Sequence, residues 1–352
     1  MAAYDHLSDV AITAATRAAA EGDTEAMFNL AVLLDQRDDL DEAETWYRRA
    51  AAEGDTGAMF NLGALFHQRA DLDEAETWYR RAVEAGHTDA MSNLGALFHQ
   101  RDDLDEAETW FRHGAAEGDT DAMSNLAVLL DQRGDLDEAE TWYRRAVEAG
   151  HTDAMSYLGL LFNQRGDLAE AETWFQRAID QAGDIGAMSN LGVLLKQRGD
   201  LAEAETWFRR AVEGGHTGAL FNLGVLLDQR GDLAEAETWY RRAIDQAGDI
   251  GAMSNLGALL KRRGDLDEAE TWCRRAIDEA DDTDAMVNLG NLLKERGDLH
   301  EAETWYRRAI DEAGHTDAMY NLGILLEQRG NLDEAETWYR RADGEGHVGH
   351  LT

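Results

Sequence analysis

The feature that most constrains this chain is a sequence repeat, seen most clearly from Asp119 to Gly150 as DTDAMSNLAVLLDQRGDLDEAETWYRRAVEAG. Ten copies follow one another at a spacing of 32 or 33 residues, and the extra residue always falls between two copies. Sequences that repeat at this period form solenoids, in which each unit buries its apolar side against its neighbours. We therefore expect one elongated domain. The copies begin at Asp23, Asp55, His87, Asp119, His151, Asp184, His216, Asp249, Asp282 and His315.

Each copy predicts two helices. Apolar residues recur at the helical period on both sides of Gly134, a residue type that commonly ends a helix. Asp135 and Glu138 have the spacing of a capping box for the second helix. The sequence thus predicts an all-α solenoid of ten helix-turn-helix units. The residues predicted to be buried in the fourth copy are Ala122, Met123, Leu126, Ala127, Leu129, Leu130, Leu136, Ala139, Trp142, Tyr143, Ala146 and Val147.

Short segments flank the repeats. Within residues 1–22, Asp9 to Gly22 align with the second half of a unit but carry Ala14 and Ala15 in its bulky aromatic slots, which predicts that residues 1–22 form an N-terminal capping helix. Residues 23–342 hold the ten repeats, and residues 343–352 form a tail. The last repeat is expected to present an apolar end face made of Trp338, Tyr339 and Ala342. Such a face is tolerated, is covered by another copy in a homo-oligomer that stacks through its C-terminal end, or is covered by a further part of the protein.

The charge of the chain argues against several classes of partner. Asp and Glu number 71 against 33 Lys and Arg, which gives a formal net charge of −38. Nucleic acid and anionic membranes would be repelled. The single Cys273 cannot form an internal disulfide, and the first residues lack the basic and apolar parts of a signal peptide. We expect an acidic, cytoplasmic protein that binds neither nucleic acid nor membranes, and the scarcity of lysine points to a GC-rich bacterial genome.

Three recurring segments, N-L-G, R-G-D-L-x-E-A and W-Y-R-R-A, resemble the tetratricopeptide repeat. The following E-A-G-H-T-D-A-M-x-N-L-G resembles the Sel-like repeat, so the units look like a hybrid of the two. The resemblance covers residues 23–342, although the closing proline of the former and the long interhelical loop of the latter are missing. It implies a right-handed superhelix with a concave groove lined by the first helices. It also implies a non-enzymatic scaffold that binds an extended peptide or a protein segment.

The copies differ mainly along one stripe of the first helix. In the first copy the stripe holds Glu25, Phe28, Val32 and Asp35, which share a helix face opposite the core, and in the fourth it includes Ser124. Variation along one stripe is expected if the stripe lines a groove that recognises a partner. It is also expected if this is simply the least constrained face of the helix. Charge along the stripe is acidic in early repeats and gains lysine later, which would suit a partner with one basic and one acidic end. The candidate binding residues are the aromatic Phe28, Phe60, Phe221 and Tyr320 and the basic Lys196, Lys261 and Lys294.

An asparagine recurs in the middle of the stripe in every copy but one, where Tyr157 replaces it. An amide offers both a donor and an acceptor, so such a row could pair with the backbone of an extended peptide. The row is similar to the asparagine ladder of the O-linked N-acetylglucosamine transferases. Asparagine is also a consensus residue that bonds to a neighbouring helix, and both interpretations stay open. The candidate peptide-binding asparagines are Asn29, Asn61, Asn93, Asn125, Asn190, Asn222, Asn255, Asn288 and Asn321.

No catalytic signature appears in the sequence. The acidic pairs recur in every copy, whereas a catalytic pair would be singular, and no phosphate-binding glycine loop is present. His67 and His99 occupy equivalent slots but lack further ligands at metal-binding spacing. The histidines that begin a copy, such as His151, are interpreted as turn residues. We therefore expect no catalytic residue, no cofactor and no metal site.

Overall fold

The predicted helix pairs are present throughout the part of the chain that a computed structural model describes, which is residue 12 and residues 15–346. Twenty helices, α1 to α20, follow one another from residue 24 to residue 346 in this part, and it contains no strand. Odd-numbered helices are the first helices of the repeats and even-numbered helices the second, and the two helices of a repeat pack together. The all-α class and the stacked helix-turn-helix repeats are confirmed.

The chain divides into two compact units, and unit 1 comprises residues 1–182. Within it each second helix packs on the first helix of the next repeat, and α7 contacts both α5 and α9. Its helices are α1 (Thr24–Asp35), α2 (Leu40–Ala52), α3 (Thr56–Gln68), α4 (Leu72–Glu84), α5 (Ala90–Gln100), α6 (Leu104–Ala116), α7 (Thr120–Arg133), α8 (Leu136–Glu148), α9 (Ala154–Arg165) and α10 (Leu168–Ala182).

Unit 2 comprises residues 183–352 and holds the other five repeats. Successive first helices contact one another along this unit, from α11 to α19. Its helices are α11 (Ile185–Arg198), α12 (Leu201–Glu213), α13 (Gly218–Arg230), α14 (Leu233–Ala247), α15 (Ile250–Arg263), α16 (Leu266–Ala280), α17 (Thr283–Arg296), α18 (Leu299–Ala313), α19 (Thr316–Gln328) and α20 (Leu332–Gly346).

A close approach between the two helices of a repeat forms the core. The ring of Tyr79 on α4 lies against Gly63 on α3, where a Cβ atom would come within 2.4 Å of the ring. A glycine at this slot therefore lets the aromatic side chain pack directly on the helix backbone. Burial raises the pKa of the Tyr79 hydroxyl to about 12.

The predicted core of the fourth copy is largely correct, but four of its residues lie at the margin. Met123, Leu136, Trp142 and Val147 are only half-buried. For Trp142 the reason is that an arginine covers its ring, with the Arg145 guanidinium carbon 4.7 Å from the ring centroid. The long stem of an arginine shields an aromatic face while its charged end stays in water. The remaining predicted core residues of this copy are buried, namely Ala122, Leu126, Ala127, Leu129, Leu130, Ala139, Tyr143 and Ala146.

Ion pairs join successive repeats. Arg165 at the end of α9 contacts Asp137 at 2.9 Å and Glu140 at 2.7 Å, both on α8 of the preceding repeat. Arg112 on α6 contacts Glu138 on α8 at 2.8 Å, which joins two second helices. Pairs of the first kind recur along both units, at Arg69, Arg101, Arg133, Arg230, Arg263, Arg296 and Arg329.

These pairs overturn one sequence prediction and explain an observation. The capping box of Asp135 and Glu138 is wrong, because Asp135 makes no side-chain cap and Glu138 accepts hydrogen bonds from Arg112 and Trp142. Asp137, Glu138 and Glu140 of the second helix therefore have partners in the neighbouring repeats. Their near-constancy across the copies has this structural cause, so it says little about which face binds a partner.

The two ends of the chain are described in part. Within the predicted capping segment, residues 15–20 are helical and Ala19 is buried, while residues 1–11 and 13–14 lie outside the described residues. At the other end α20 continues through Gly346, four residues into the predicted tail, of which residues 347–352 lie outside the described part.

The predicted C-terminal end face needs one correction. Ala342 is buried, because α20 packs on α19, whereas Trp338 and Tyr339 are half-buried. The strongly exposed apolar side chains of the last repeat are Leu332 and Tyr320, at 63% and 56% exposure.

Candidate functional site

Two concavities lie on the faces of the first helices, one in each unit. Site 1 is a concavity of about 250 Å³ across α5, α7 and α9, and site 2 is one of about 460 Å³ across α15, α17 and α19. Site 1 is lined by Ser92, Asn93, Ala96, Asp121, Ser124, Asn125, His151, Asp153 and Tyr157. Site 2 is lined by Asn255, Ala258, Asp284, Val287, Asn288, Asn291, His315, Asp317, Tyr320 and Asn321.

An aspartate–histidine bridge stands in each site. Nε2 of His151 lies 3.1 Å from Oδ1 of Asp121 in site 1, and Nε2 of His315 lies 2.9 Å from Oδ1 of Asp284 in site 2. Each bridge joins a first helix to the turn that precedes the next one. Among the described residues Nδ1 of both rings is buried and has no hydrogen-bond partner, so we assign the ring proton to Nε2, which donates to the carboxylate.

The interpretation of these histidines as turn residues was incomplete, because two of them also line the sites. A signal was present in the sequence. His151 and His315 follow a copy with aspartate in the slot of Glu25, whereas His87 and His216 follow a copy with glycine there, Gly57 and Gly186. The latter two make other contacts: His87 stacks on Phe60 and His216 caps α13 through the backbone N–H of Ala219.

The asparagine row is divided between two roles. Asn61 donates to Oη of Tyr47 at 3.1 Å, Asn255 bonds to Tyr240, and Asn288 donates to Oγ of Ser254 at 3.2 Å. These three amides bond to neighbouring helices. The other candidate asparagines make no side-chain hydrogen bond within the described residues, and they are Asn29, Asn93, Asn125, Asn190, Asn222 and Asn321.

The residue of the preceding second helix contributes to the role without fixing it, because Asn93 and Asn321 follow a tyrosine and still make no side-chain hydrogen bond within the described residues. A tyrosine there can hold the amide, as Tyr47 holds Asn61. Phe111 stands in that position before Asn125, and a phenylalanine ring has no hydroxyl to offer. Phe208 stands likewise before Asn222. The amide is therefore left available on the helix face.

The second slot of the variable stripe is less exposed than predicted. Ser124, Ser189 and Ser254 are 4%, 4% and 2% exposed, whereas Ser92 and Ser156 at the same slot are half-buried. The larger side chains there reach further out. Phe28, Phe60 and Phe221 are half-buried and contact the tyrosine of their own second helix at centroid distances of 6.1, 6.0 and 6.3 Å. Tyr320 alone among the predicted aromatic candidates lines a site.

The predicted lysines lie in the last turns of their helices, outside both sites. Lys261 pairs with Glu295 at 3.6 Å. Lys294 is half-buried, and desolvation together with the charge of Lys261 lowers its pKa. Lys196 lies in the last turn of α11, two residues before its end, and is half-buried. In the same region, the guanidinium of Arg262 pairs with Asp228.

The described residues hold no group of metal-ligating side chains. Nε2 of His67 lies 2.7 Å from Gln100, and Nε2 of His99 lies 3.2 Å from Gln132, so each bonds to the next first helix. No set of three His, Cys, Asp or Glu side chains is placed to bind a metal ion in this part of the chain. In the same residues, no helix is both long and apolar enough to traverse a bilayer.

Comparison with known families agrees with this architecture. Three tetratricopeptide-repeat models together match nearly the whole chain, and the chain belongs to this family. No curated protein matches the sequence. The matched residues are 5–58, 54–90 and 287–346 for one model, 152–215, 184–248 and 249–311 for the second, and 88–116 and 120–150 for the third.

Solved structures share the fold. A protective antigen of uropathogenic Escherichia coli, c5321, which displays an SLR (Sel1-like repeat) fold, is 26% identical with a TM-score of 0.60, over 94% of this chain and 78% of that one. Yeast Tom70 is 15% identical with a TM-score of 0.52, over 92% of each chain. A tetratricopeptide-repeat protein from Parabacteroides merdae is 19% identical with a TM-score of 0.53, over 65% of this chain and 93% of that one. The family and fold are those of a scaffold for protein–protein interaction, a typically non-catalytic architecture.

Proposed function

We propose that the chain holds an extended polypeptide segment against the faces of its first helices. The observation that carries this proposal is the set of asparagine amides that have no hydrogen-bond partner among the described residues, two of which, Asn93 and Asn125, line site 1. An amide that bonds to a neighbouring helix is occupied, whereas these present a donor and an acceptor to any incoming chain. The backbone of an extended peptide offers matching N–H and C=O groups at regular intervals.

The composition of the sites favours a segment that carries positive charge. Site 1 contains Asp121 and Asp153, and site 2 contains Asp284 and Asp317. No lysine or arginine lines either site. The chain as a whole has a formal net charge of −38, which repels acidic partners and attracts basic ones at a distance.

A displayed library of random linear peptides tests this proposal directly. Peptides enriched on the protein are synthesised and mixed with variants that carry a photo-crosslinking residue at one position. Ala96 lines site 1, and Thr141 is an exposed residue of a second helix that serves as control. We expect crosslinks at Ala96 and none at Thr141. Enrichment of no peptide, or equal crosslinking at both positions, would contradict the proposal.

A second candidate function is self-association through the last repeat. Leu332 is 63% exposed there, whereas the equivalent Leu136 of the fourth copy is half-buried. An apolar side chain of this size is a candidate contact between copies. Light scattering over a range of concentrations should then show a mass above that of one chain, and Leu332→Glu should return it to one chain. A constant monomeric mass would exclude this function.

A further inference from the structure

We propose that site 1 is a pocket for an arginine side chain of the bound peptide. The proposal rests on the proposed function and names the chemistry that one of its sites selects. It follows from four features of the pocket: an oriented carboxylate, a free carboxylate, unpartnered acceptors on its floor, and an aromatic wall.

The two carboxylates supply the charge. Asp121 is 72% exposed, and its Oδ1 is held by Nε2 of His151, a ring that is only 17% exposed. Asp153 is exposed and stands at the N-cap of α9, yet its side chain makes no cap hydrogen bond. The pocket thus has one carboxylate fixed in place and a second free to pair with a ligand. A cationic group satisfies both.

The floor of the pocket carries a hydroxyl that lacks a partner. Ser124 is 4% exposed and lines site 1, and its side chain makes no hydrogen bond within the described residues. Its counterpart Ser254 in unit 2 is fully engaged, because it accepts from Asn288 and bonds to Asp282. Its oxygen faces the pocket and is not fully shut off from solvent, so an N–H group of a ligand that enters the pocket can donate to it. The free amides of Asn93 and Asn125 add two acceptors beside it.

The wall of the pocket is the ring of Tyr157. This ring is 40% exposed, and its inner face stacks on the buried Tyr143 at a centroid distance of 5.5 Å. An arginine guanidinium is planar, stacks on aromatic faces and carries five N–H donors, whereas a lysine ammonium is compact and strongly hydrated. A pocket with an aromatic wall and several dispersed acceptors therefore fits arginine better than lysine.

Site 2 lacks the combination that defines this pocket. Val287 replaces the serine of the floor, and Asn288 is bonded to Ser254. Its tyrosine, Tyr320, comes from a neighbouring slot and is 56% exposed. Site 2 therefore serves as an internal comparison with similar carboxylates but without the free hydroxyl.

The test uses N-acetyl-arginine amide as the probe and N-acetyl-citrulline amide, its uncharged isostere, as the matched control. Binding is followed by NMR shifts of the side-chain amides of Asn93 and Asn125 and of the Tyr157 ring. We expect saturable shifts with the arginine probe and none with citrulline. Asp153→Asn should weaken binding by about fivefold, and Glu148→Gln, which removes an exposed charge from α8, should leave it unchanged. Equal shifts with both probes, or equal effects of the two substitutions, would overturn the proposal.

A further variant separates this proposal from the proposed function. Tyr157→Asn completes the asparagine row but removes the aromatic wall. Backbone recognition by the row alone predicts that library peptides bind this variant at least as tightly as the parent. The arginine pocket predicts instead that it loses its preference for peptides with arginine over peptides with citrulline. Loss of that preference supports the pocket, and its retention overturns the pocket while leaving peptide capture intact.

Discussion

The ring of Tyr157 stacks on the ring of Tyr143, with centroids 5.5 Å apart and planes inclined by 13°. All the repeats except this one have an asparagine at the position of Tyr157. In the fifth repeat a tyrosine thus stands in place of the polar asparagine, stacks on Tyr143 and lines site 1. The asparagine row that we propose to bind a peptide is therefore interrupted at this position. Changes at Tyr157 affect the aromatic packing and leave the asparagines of the row in place.

The stacked pair should contribute measurably to stability. Tyr157→Ala removes the ring contact, and we expect a loss of about 1 kcal/mol in the free energy of unfolding, as for other aromatic pairs. Tyr157→Phe keeps the ring and should lose little. Urea unfolding followed by far-ultraviolet circular dichroism measures both. Equal stability of the alanine variant and the parent would show that the pair does not stabilise the fold.

A hydroxyl introduced in the core should form a hydrogen bond with one amide of the asparagine row and make that amide less available to a peptide. Phe111→Tyr places a hydroxyl where Tyr47 holds Asn61, and we expect it to accept a hydrogen bond from Asn125. A peptide must then break that bond to reach the amide, which should weaken binding about fivefold for a bond of about 1 kcal/mol. Isothermal titration with a peptide selected on site 1 measures the change. Phe208→Tyr, the same change in unit 2, is the control and should leave this affinity unaltered.

The inter-repeat ion pairs should stabilise more than ordinary surface pairs. The side chains of Arg165 and Glu140 are 20% and 23% exposed, and Arg165 also contacts Asp137. We expect Arg165→Ala to lower the free energy of unfolding by about 1 kcal/mol, with a coupling to Glu140→Ala in a double-mutant cycle. Arg340→Ala removes a pair whose side chains are 77% and 62% exposed and should have almost no effect. Equal losses in the free energy of unfolding for Arg165→Ala and Arg340→Ala would show that the inter-repeat pairs stabilise no more than ordinary surface pairs.

The single thiol should be inert in the folded protein. Cys273 is 1% exposed, and burial together with the charges of Asp282 and Glu270 raises its pKa to about 12. Because the thiolate is the reactive form, a raised pKa leaves almost none of it at neutral pH. We expect a thiol reagent to label Cys273 only at the urea concentration that unfolds unit 2. Rapid labelling in the absence of urea would show that the helix pair around Cys273 opens readily.

The helical architecture could be predicted from the sequence because its signal is repeated in every copy. The apolar periodicity and the glycines that end helices were enough to predict the helix pairs. Because the copies are nearly identical, each was expected to pack on its neighbour in the same way. The capping box failed at Glu138, because the spacing that suits a cap also suits an ion pair with Arg112 of the neighbouring repeat. A contact between repeats cannot be read from the spacing within one repeat.

The site was predictable only in outline. The stripe and the asparagine row can be read from the sequence, but which amides are held by a neighbouring helix cannot. Asn61 donates to Tyr47, whereas Asn93 makes no such bond within the described residues although Tyr79 stands in the equivalent position. The burial of Ser124 depends on how closely two first helices approach. Such quantities come from packing, which periodicity does not specify.

The measurement that tests peptide recognition most directly compares two sets of asparagines in the same row. Asn93→Ala with Asn125→Ala removes two free amides, whereas Asn61→Ala removes one that is bonded to Tyr47. We predict that the double variant binds a peptide selected on site 1 at least tenfold more weakly and unfolds within about 0.5 kcal/mol of the parent. The Asn61 variant should retain the affinity and lose about 1 kcal/mol of stability. An unchanged affinity in the double variant would contradict recognition by the asparagine row.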